Sequence, residues 1–103
     1  MEFIETPVFT RQVNDLMAGD EYRELQNALL ENPEAGDLIK GGGGIRKIRF
    51  GVGGRGKSGG VRTIYFWKKA ADQIFMLVIY PKSTKDDLTA AETEILRSYV
   101  KEL

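Results

Sequence analysis

The side chains best able to do chemistry in this sequence are cations set on alternate positions of apolar segments. Lys47 and Arg49 stand two apart in IRKIRF, so at the period of a β-strand they project from one face. Arg62 opens the next apolar run, VRTIYFW, and can come close to them, while Lys82 and Lys85 follow the run IFMLVIY. Four or five positive charges converging on one sheet surface make a site for phosphate. An amine crowded by other cations is pushed toward its neutral form, so Lys47 is expected to have a lowered pKa and to accept a proton. Tyr65, Phe66, Trp67 and Tyr80 stand in the same runs and offer ring faces for nucleobases, although packing within a sheet is the commoner use of such rings.

Composition narrows the chemistry further. The 103 residues include no His and no Cys. That excludes disulfides, thiolate metal sites and thiol nucleophiles, and it removes the side chain that titrates near neutrality. No metal and no cofactor are expected, and any catalysis runs on Lys, Arg, Asp, Glu, Ser, Thr or Tyr. The formal net charge is zero, from 15 basic and 15 acidic residues, but the charges are segregated. Residues 1–39 carry −7, residues 40–69 carry +9 with no acid at all, and residues 70–103 carry −2. A +9 segment is the footprint of a surface that meets polyanions, because like charges packed together repel unless an anion relieves them. The N-terminal MEFIETPVF has no secretory pattern. The longest apolar run, Ile74 to Tyr80, is far short of the about 20 residues a bilayer-spanning helix needs. A cytoplasmic location is expected.

One domain over residues 1–103 must position these groups. Residues Glu2 to Glu5 read as a short strand. Phe9, Val13, Leu16 and Met17 make the apolar stripe of a helix opened by Pro7. Gly19 interrupts it, Asp20 is the expected N-cap of a second helix with Tyr22, Leu25, Ala28 and Leu29 buried, and Asn32-Pro33 ends it. Residues 34–44 read as a loop. Ile45 to Phe50 is a strand with Ile48 and Phe50 toward the core, and Val61 to Trp67 is another. Ala70 to Gln73 turns into Ile74 to Tyr80, apolar on both faces and so a covered central strand. Thr89 and Glu92 form the T-x-x-E box of a last helix with a stripe of Ala91, Ile95, Tyr99 and Val100. The last three strands follow one another closely and are expected to pair as an antiparallel meander, with the helices covering one face. Between the basic strands, GVGGRGKS over residues 51–58 matches the phosphate-loop pattern letter for letter. A strand pattern rather than a helix follows it, so it is read as a hairpin loop whose backbone N–H groups, with Arg55 and Lys57, can meet an anion, and not as a nucleotide-hydrolysis motif.

Taken in order, GGGGIRKIRF, the basic glycine loop, GGVRTIYFW, IFMLVIY and PKSTKDDL before a final helix resemble the RelE/ParE superfamily of bacterial toxins, and its HigB-type branch in particular. The resemblance covers most of the chain. It implies an α+β, RelE-like fold: a curved antiparallel sheet of about four strands packed against an N-terminal helical hairpin and a C-terminal helix. It implies the toxin of a type II toxin-antitoxin system, a ribosome-dependent mRNA endonuclease that cleaves translated message in the A site. The partners implied are the ribosome, mRNA and a cognate antitoxin, typically a helix-turn-helix DNA-binding protein, with no membrane. RelE-like members use two basic residues on the second strand, an Arg opening the third and an Arg after the fourth. These match Lys47, Arg49 and Arg62, but the fourth position is Ser83, so Lys82 or Lys85 is expected to supply the charge. The RelE-like tyrosine at the start of the last helix is replaced by Thr89. Catalytic roles thus fall on Lys47, Arg49, Arg62 and Lys82, and RNA contacts on Arg46, Arg55, Lys57, Tyr65, Lys68 and Lys85. The implied chemistry is attack of an RNA 2′-hydroxyl on its own phosphodiester, with Lys47 as base and Arg62 on the phosphate oxygens.

Two other functions remain open at the level of residues: a non-enzymatic ParE-like inhibitor of DNA gyrase, and a simple RNA-binding module. The acidic first third either pairs with a basic antitoxin segment or keeps the helices soluble. The nuclease reading requires Lys47, Arg49 and Arg62 to share one pocket and to be free of internal carboxylates.

Overall fold

The computed structural model describes residues 1–53 and 60–103. Its elements are β1 (Glu2–Glu5), α1 (Pro7–Leu16), α2 (Gly19–Glu31), β2 (Asp37–Leu38), β3 (Arg46–Phe50), β4 (Val61–Lys68), β5 (Gln73–Pro81) and α3 (Ala90–Lys101). The fold is α+β, a five-stranded sheet in the order β1-β5-β4-β3-β2 with three helices. The expected meander is present, with β3 antiparallel to β4 and β4 to β5. Two features go beyond the expected four antiparallel strands. β1 lies parallel to β5, making the sheet mixed, and the segment read as a loop contributes the two-residue β2 against β3. Among the described residues no helix is long and apolar enough to cross a membrane.

Helix boundaries follow local chemistry. Thr6 caps α1 by accepting the Phe9 N–H at 3.0 Å, and its own hydroxyl donates to the Leu77 carbonyl at 2.7 Å, which ties the helix start to the central strand. The N-cap of α2 is Ala18, not the expected Asp20. Glu21 explains the difference: its carboxylate accepts the Ala18 N–H at 2.8 Å and the Gly53 N–H at 2.7 Å. Those two donors, Ala18 first, hold the Glu21 carboxyl below its ordinary range. Thr89 and Glu92 form the anticipated reciprocal box at the start of α3.

Helices cover both faces of the sheet rather than the single face expected. On one side α1 and α2 bring Phe9, Val13, Met17, Leu25 and Leu29 against Val61, Tyr65, Ile74, Met76 and Ile79. On the other, α3 packs against Ile45, Ile64, Phe75 and Leu77. The buried stripe of α3 also differs from the expected one. Val100 is buried and Leu96 and Leu103 pack beside it, but Ile95 and Tyr99 are exposed. A helix turns about 100° per residue, so two candidate stripes share Val100 and only the docking angle separates them.

A register shift in β5 matters for everything that follows. Ile64 pairs with Val78 but Tyr65 pairs with Met76, so Leu77 is an extra residue, a β-bulge. Unbroken alternation from Ile74 would send Tyr80 to the α1–α2 face. The bulge reverses the parity, and Tyr80 pairs with Arg62 on the face that carries α3. Where the chain enters β4, Gly60 lies so close to β3 that an added Cβ would sit 2.0 Å from the Phe50 carbonyl oxygen, which only glycine avoids.

Tyr65 is fully buried, so it belongs to the core and not to an RNA-contacting surface. Its hydroxyl accepts the Gly36 N–H at 2.9 Å and donates to the Pro33 carbonyl at 2.8 Å, which fastens the chain between α2 and β2. Burial is the larger influence on this phenol and raises its pKa. Tyr65→Phe leaves a buried N–H without an acceptor and is expected to cost about 1–3 kcal/mol. The midpoint of urea unfolding measures this, and an unchanged midpoint would contradict the assigned role.

Candidate active site

β3 and β4 place the three predicted cations together. Antiparallel pairing sets Arg49 directly opposite Arg62, with Lys47 two residues along β3 on the same face. Like charges directly opposite each other repel, and the structure compensates them with carboxylates. Arg62 donates through Nε to Asp86 Oδ1 at 2.7 Å. Lys47 donates to the Asp87 carboxylate and, at 3.3 Å, to the Asp86 carbonyl. Arg49 pairs with Asp37 at 3.7 Å. The requirement drawn from the sequence is therefore met only in half. The cations do gather, but internal carboxylates neutralise them.

Burial divides this cluster into two levels. The side chains of Lys47 and Arg62 are 9% and 2% exposed, whereas Asp87 and Asp86 are 77% and 47% exposed. Lys47 and Arg62 form the floor with the carboxylates between them and water, whereas Arg49 is exposed. The Asp86 carboxyl is held below its ordinary range, first by the Arg62 hydrogen bond and then by the charges of Arg62, Lys47 and Arg49. Asp86 thus meets Arg62 through its carboxylate and Lys47 through its carbonyl.

Tyr80, brought to this face by the bulge, completes the floor. Its hydroxyl is 3.4 Å from the Asp86 carbonyl oxygen, and the Lys85 ammonium lies 5.0 Å from its ring centroid. Burial pushes the Tyr80 phenol up to about 12, and the charges of Asp87, Glu92 and Asp86 add to the effect. Lys85 itself is paired with Glu92, whose carboxyl is lowered chiefly by that contact. Beside the Lys47–Asp87 pair opens a cleft of about 420 Å³, lined in part by Ile39, Lys40 and Leu88.

The other predicted residues are dispersed. Lys82 is exposed in the segment that carries Asp86 and Asp87, and Lys85 in the same segment is turned to Glu92. Arg46 faces away from the cluster and grips the residues before β2 through the Gly36 carbonyl at 2.8 Å and Glu34 at 3.3 Å. Its work is structural, because β3 alternates and Arg46 pairs with the core residue Tyr65. Lys68 lies six residues from Arg62 along β4, roughly 20 Å at strand rise, too far to share one phosphate. Arg55 and Lys57 lie outside the described residues, as does most of the phosphate-loop match. The residue after Gly60 opens β4 and not a helix, so no helix N-terminus follows the match.

Sequence reasoning missed Asp86, Asp87, Asp37 and the placement of Tyr80. The adjacent acids of KSTKDDL were a usable signal, since they follow the central strand whose neighbour carries Arg62. The expectation that Lys47 is crowded by cations alone did not weigh them.

The raised phenol gives a pH test. In an unfolded chain a tyrosine ionises near ~10, and in this site near 12. The stabilising contribution of the neutral phenol is therefore complete below about 10 and is lost as pH rises through about 12. The phenolate absorbance of the protein, minus that of Tyr80→Phe, should show one step near the upper value, moved down by Asp87→Asn. A step near the lower value in folded protein would contradict this placement.

A family model, the RelE toxin of the RelE/RelB toxin-antitoxin system, matches residues 6–103, a span that takes in all three helices, every strand from β2 to β5 and the whole cationic cluster. The chain belongs to the RelE toxin family.

Proposed function

We propose that this RelE-family toxin is a ribosome-dependent mRNA endonuclease of the HigB-type branch, which cuts translated message in the A site and is held inactive by a helix-turn-helix antitoxin. The observation that carries the reading is the convergence of Lys47, Arg49 and Arg62 on one sheet face; because Asp87, Asp37 and Asp86 pair with them, the reading requires a phosphate to take the place of those carboxylates. A gyrase inhibitor acting only by contact has no need of a guanidinium and an ammonium focused on a single point.

In the proposed reaction the 2′-oxygen of one nucleotide bonds to its 3′-phosphorus and the bond to the next 5′-oxygen breaks. The products are a 2′,3′-cyclic phosphate and a 5′-hydroxyl. Once the Lys47 ammonium has given a proton to water, its amine takes the proton of the attacking hydroxyl, and the leaving oxygen takes a proton from the ammonium of Lys82 or Lys85. Arg62 and Arg49 hold the phosphorane oxygens, where charge develops. Alignment of the message by the ribosome supplies the positioning that a site without histidine cannot supply alone.

Primer extension on translating ribosomes tests the assignment. Lys47→Ala and Arg49→Ala are expected to lower A-site scission by about 10²-fold, the scale seen when one charge-stabilising donor is lost. Arg62 is buried, so Arg62→Lys is the informative change: it keeps the charge, loses the fork and is expected to fall nearly as far. Wild-type scission with no loss in any of the three variants would remove this site from the reaction. Expression that damages DNA while protein synthesis continues would favour the gyrase reading.

A further inference from the structure

The two cations central to the proposed chemistry are almost out of reach of solvent, with side-chain exposures of 2% for Arg62 and 9% for Lys47. A phosphate cannot bind groups that water barely touches, so something must move before RNA arrives. Beneath them the neighbours are paired strands and the apolar cluster around Ile45 and Ile64, which have no freedom to part. Among the described residues, what lies over them on the solvent side is the segment Lys82 to Asp87, between β5 and α3, which has no regular secondary structure.

We propose that this segment is a self-occluding strap, in which the Asp86 and Asp87 carboxylates occupy the places of RNA phosphates, and that a single-stranded RNA backbone binds by displacing them. The inference rests on the nuclease reading for the identity of the polyanion. Three features of the site argue for displacement. The carboxylates lie on the solvent side of the cations, so an incoming anion meets them first. The strap is fastened to the sheet largely by charge and polar contacts at the same spot: Arg62 on Asp86, Lys47 on Asp87 and on the Asp86 carbonyl, and Tyr80 on that same carbonyl. An arriving phosphate replaces these contacts in kind, so the buried cations never go uncompensated.

The strap also has ends that permit movement. At one end Pro81 closes β5, the Lys82 N–H bonds the Gly60 carbonyl at 3.0 Å, and the Thr84 N–H turns back to the Pro81 carbonyl at 3.0 Å. At the other end Thr89 and Glu92 cap α3 without using any strap carboxylate. Residues 82–87 can therefore lift while β5 and α3 stay docked. The Lys85–Glu92 pair is a second, half-buried latch holding the closed position.

The test uses the full chain and a fluorescein-labelled oligouridylate, with affinity read by anisotropy at one fixed low salt concentration. Asp86→Asn/Asp87→Asn is expected to bind about tenfold more tightly than wild type, and adding Lys47→Met to it should abolish the gain. Any lost acid favours RNA binding in a general way, so Glu24→Gln/Glu31→Gln on exposed α2 is the charge-matched control, expected to change affinity less than about twofold. If the double variant binds no more tightly than that control, or binds more weakly, the carboxylates position the cations instead of blocking them, and the strap is overturned. If the double variant does not unfold cooperatively, Glu92→Gln decides. It keeps the oxygen that caps Thr89 but removes the charge that holds Lys85; binding tighter than that of the single-charge control Glu24→Gln supports the strap, and binding no tighter than that control overturns it. Solution affinity does not depend on cleavage. Tighter binding without A-site scission by wild type would sink the nuclease reading alone, and scission without tighter binding would sink the strap alone.

Discussion

A cation taken out of water must be given an anion, and the organisation of this protein's charged face follows from that constraint. The sheet buries Lys47 and Arg62 beside Ile45 and Ile64, on the same face as the apolar cluster that α3 covers. Without partners these charges would oppose the pairing of β3 with β4, since Arg49 stands directly across from Arg62. Asp86, Asp87 and Asp37 remove the conflict. The path of the chain between β5 and α3 is therefore an electrostatic consequence of what β3 and β4 carry.

The same face of this RelE-family chain is divided between an apolar patch and a charged one. Toward one end α3 seals an apolar patch through Leu96, Val100 and Leu103. Toward the other, Lys47, Arg49, Arg62 and Tyr80 lie under a segment held mainly by charge. The opposite face packs against α1 and α2 through an apolar cluster, and there the neutral hydrogen bonds of Thr6 and Tyr65 fix the joints between layers. The buried cations thus sit on paired strands, while the segment over them is a short connection without regular secondary structure.

Two attractive motifs illustrate how context outweighs composition. GVGGRGKS satisfies a phosphate-loop pattern in letters, yet the chain proceeds from Gly60 into a strand whose close approach to Phe50 demands glycine for steric reasons. The acids of KSTKDDL drew no reading from the sequence, yet they carry the counter-charges of the site. In each case the neighbours that give the residues their meaning are remote along the chain.

Much of the architecture was written in local pattern. Period-two alternation located β3 and put Lys47 and Arg49 on one face, and a run rich in β-branched and aromatic residues located β4. The run from Ile74 to Tyr80 marked the doubly covered strand, Thr89 and Glu92 marked the start of α3, and the order of segments pointed to the family. These are legible because alternation, capping and turn chemistry are properties of residues a few positions apart. The parallel pairing of β1 with β5, the docking angle of α3, the bulge at Leu77 that turns Tyr80 toward Arg62, and the capture of Lys47 and Arg62 by Asp87 and Asp86 were decided only by the tertiary structure. A uniformly apolar strand carries no parity in its letters. Nor can a carboxylate 24 or 40 residues away announce which cation it will meet, because ion pairing depends on distance in space and is set only once the layers have packed.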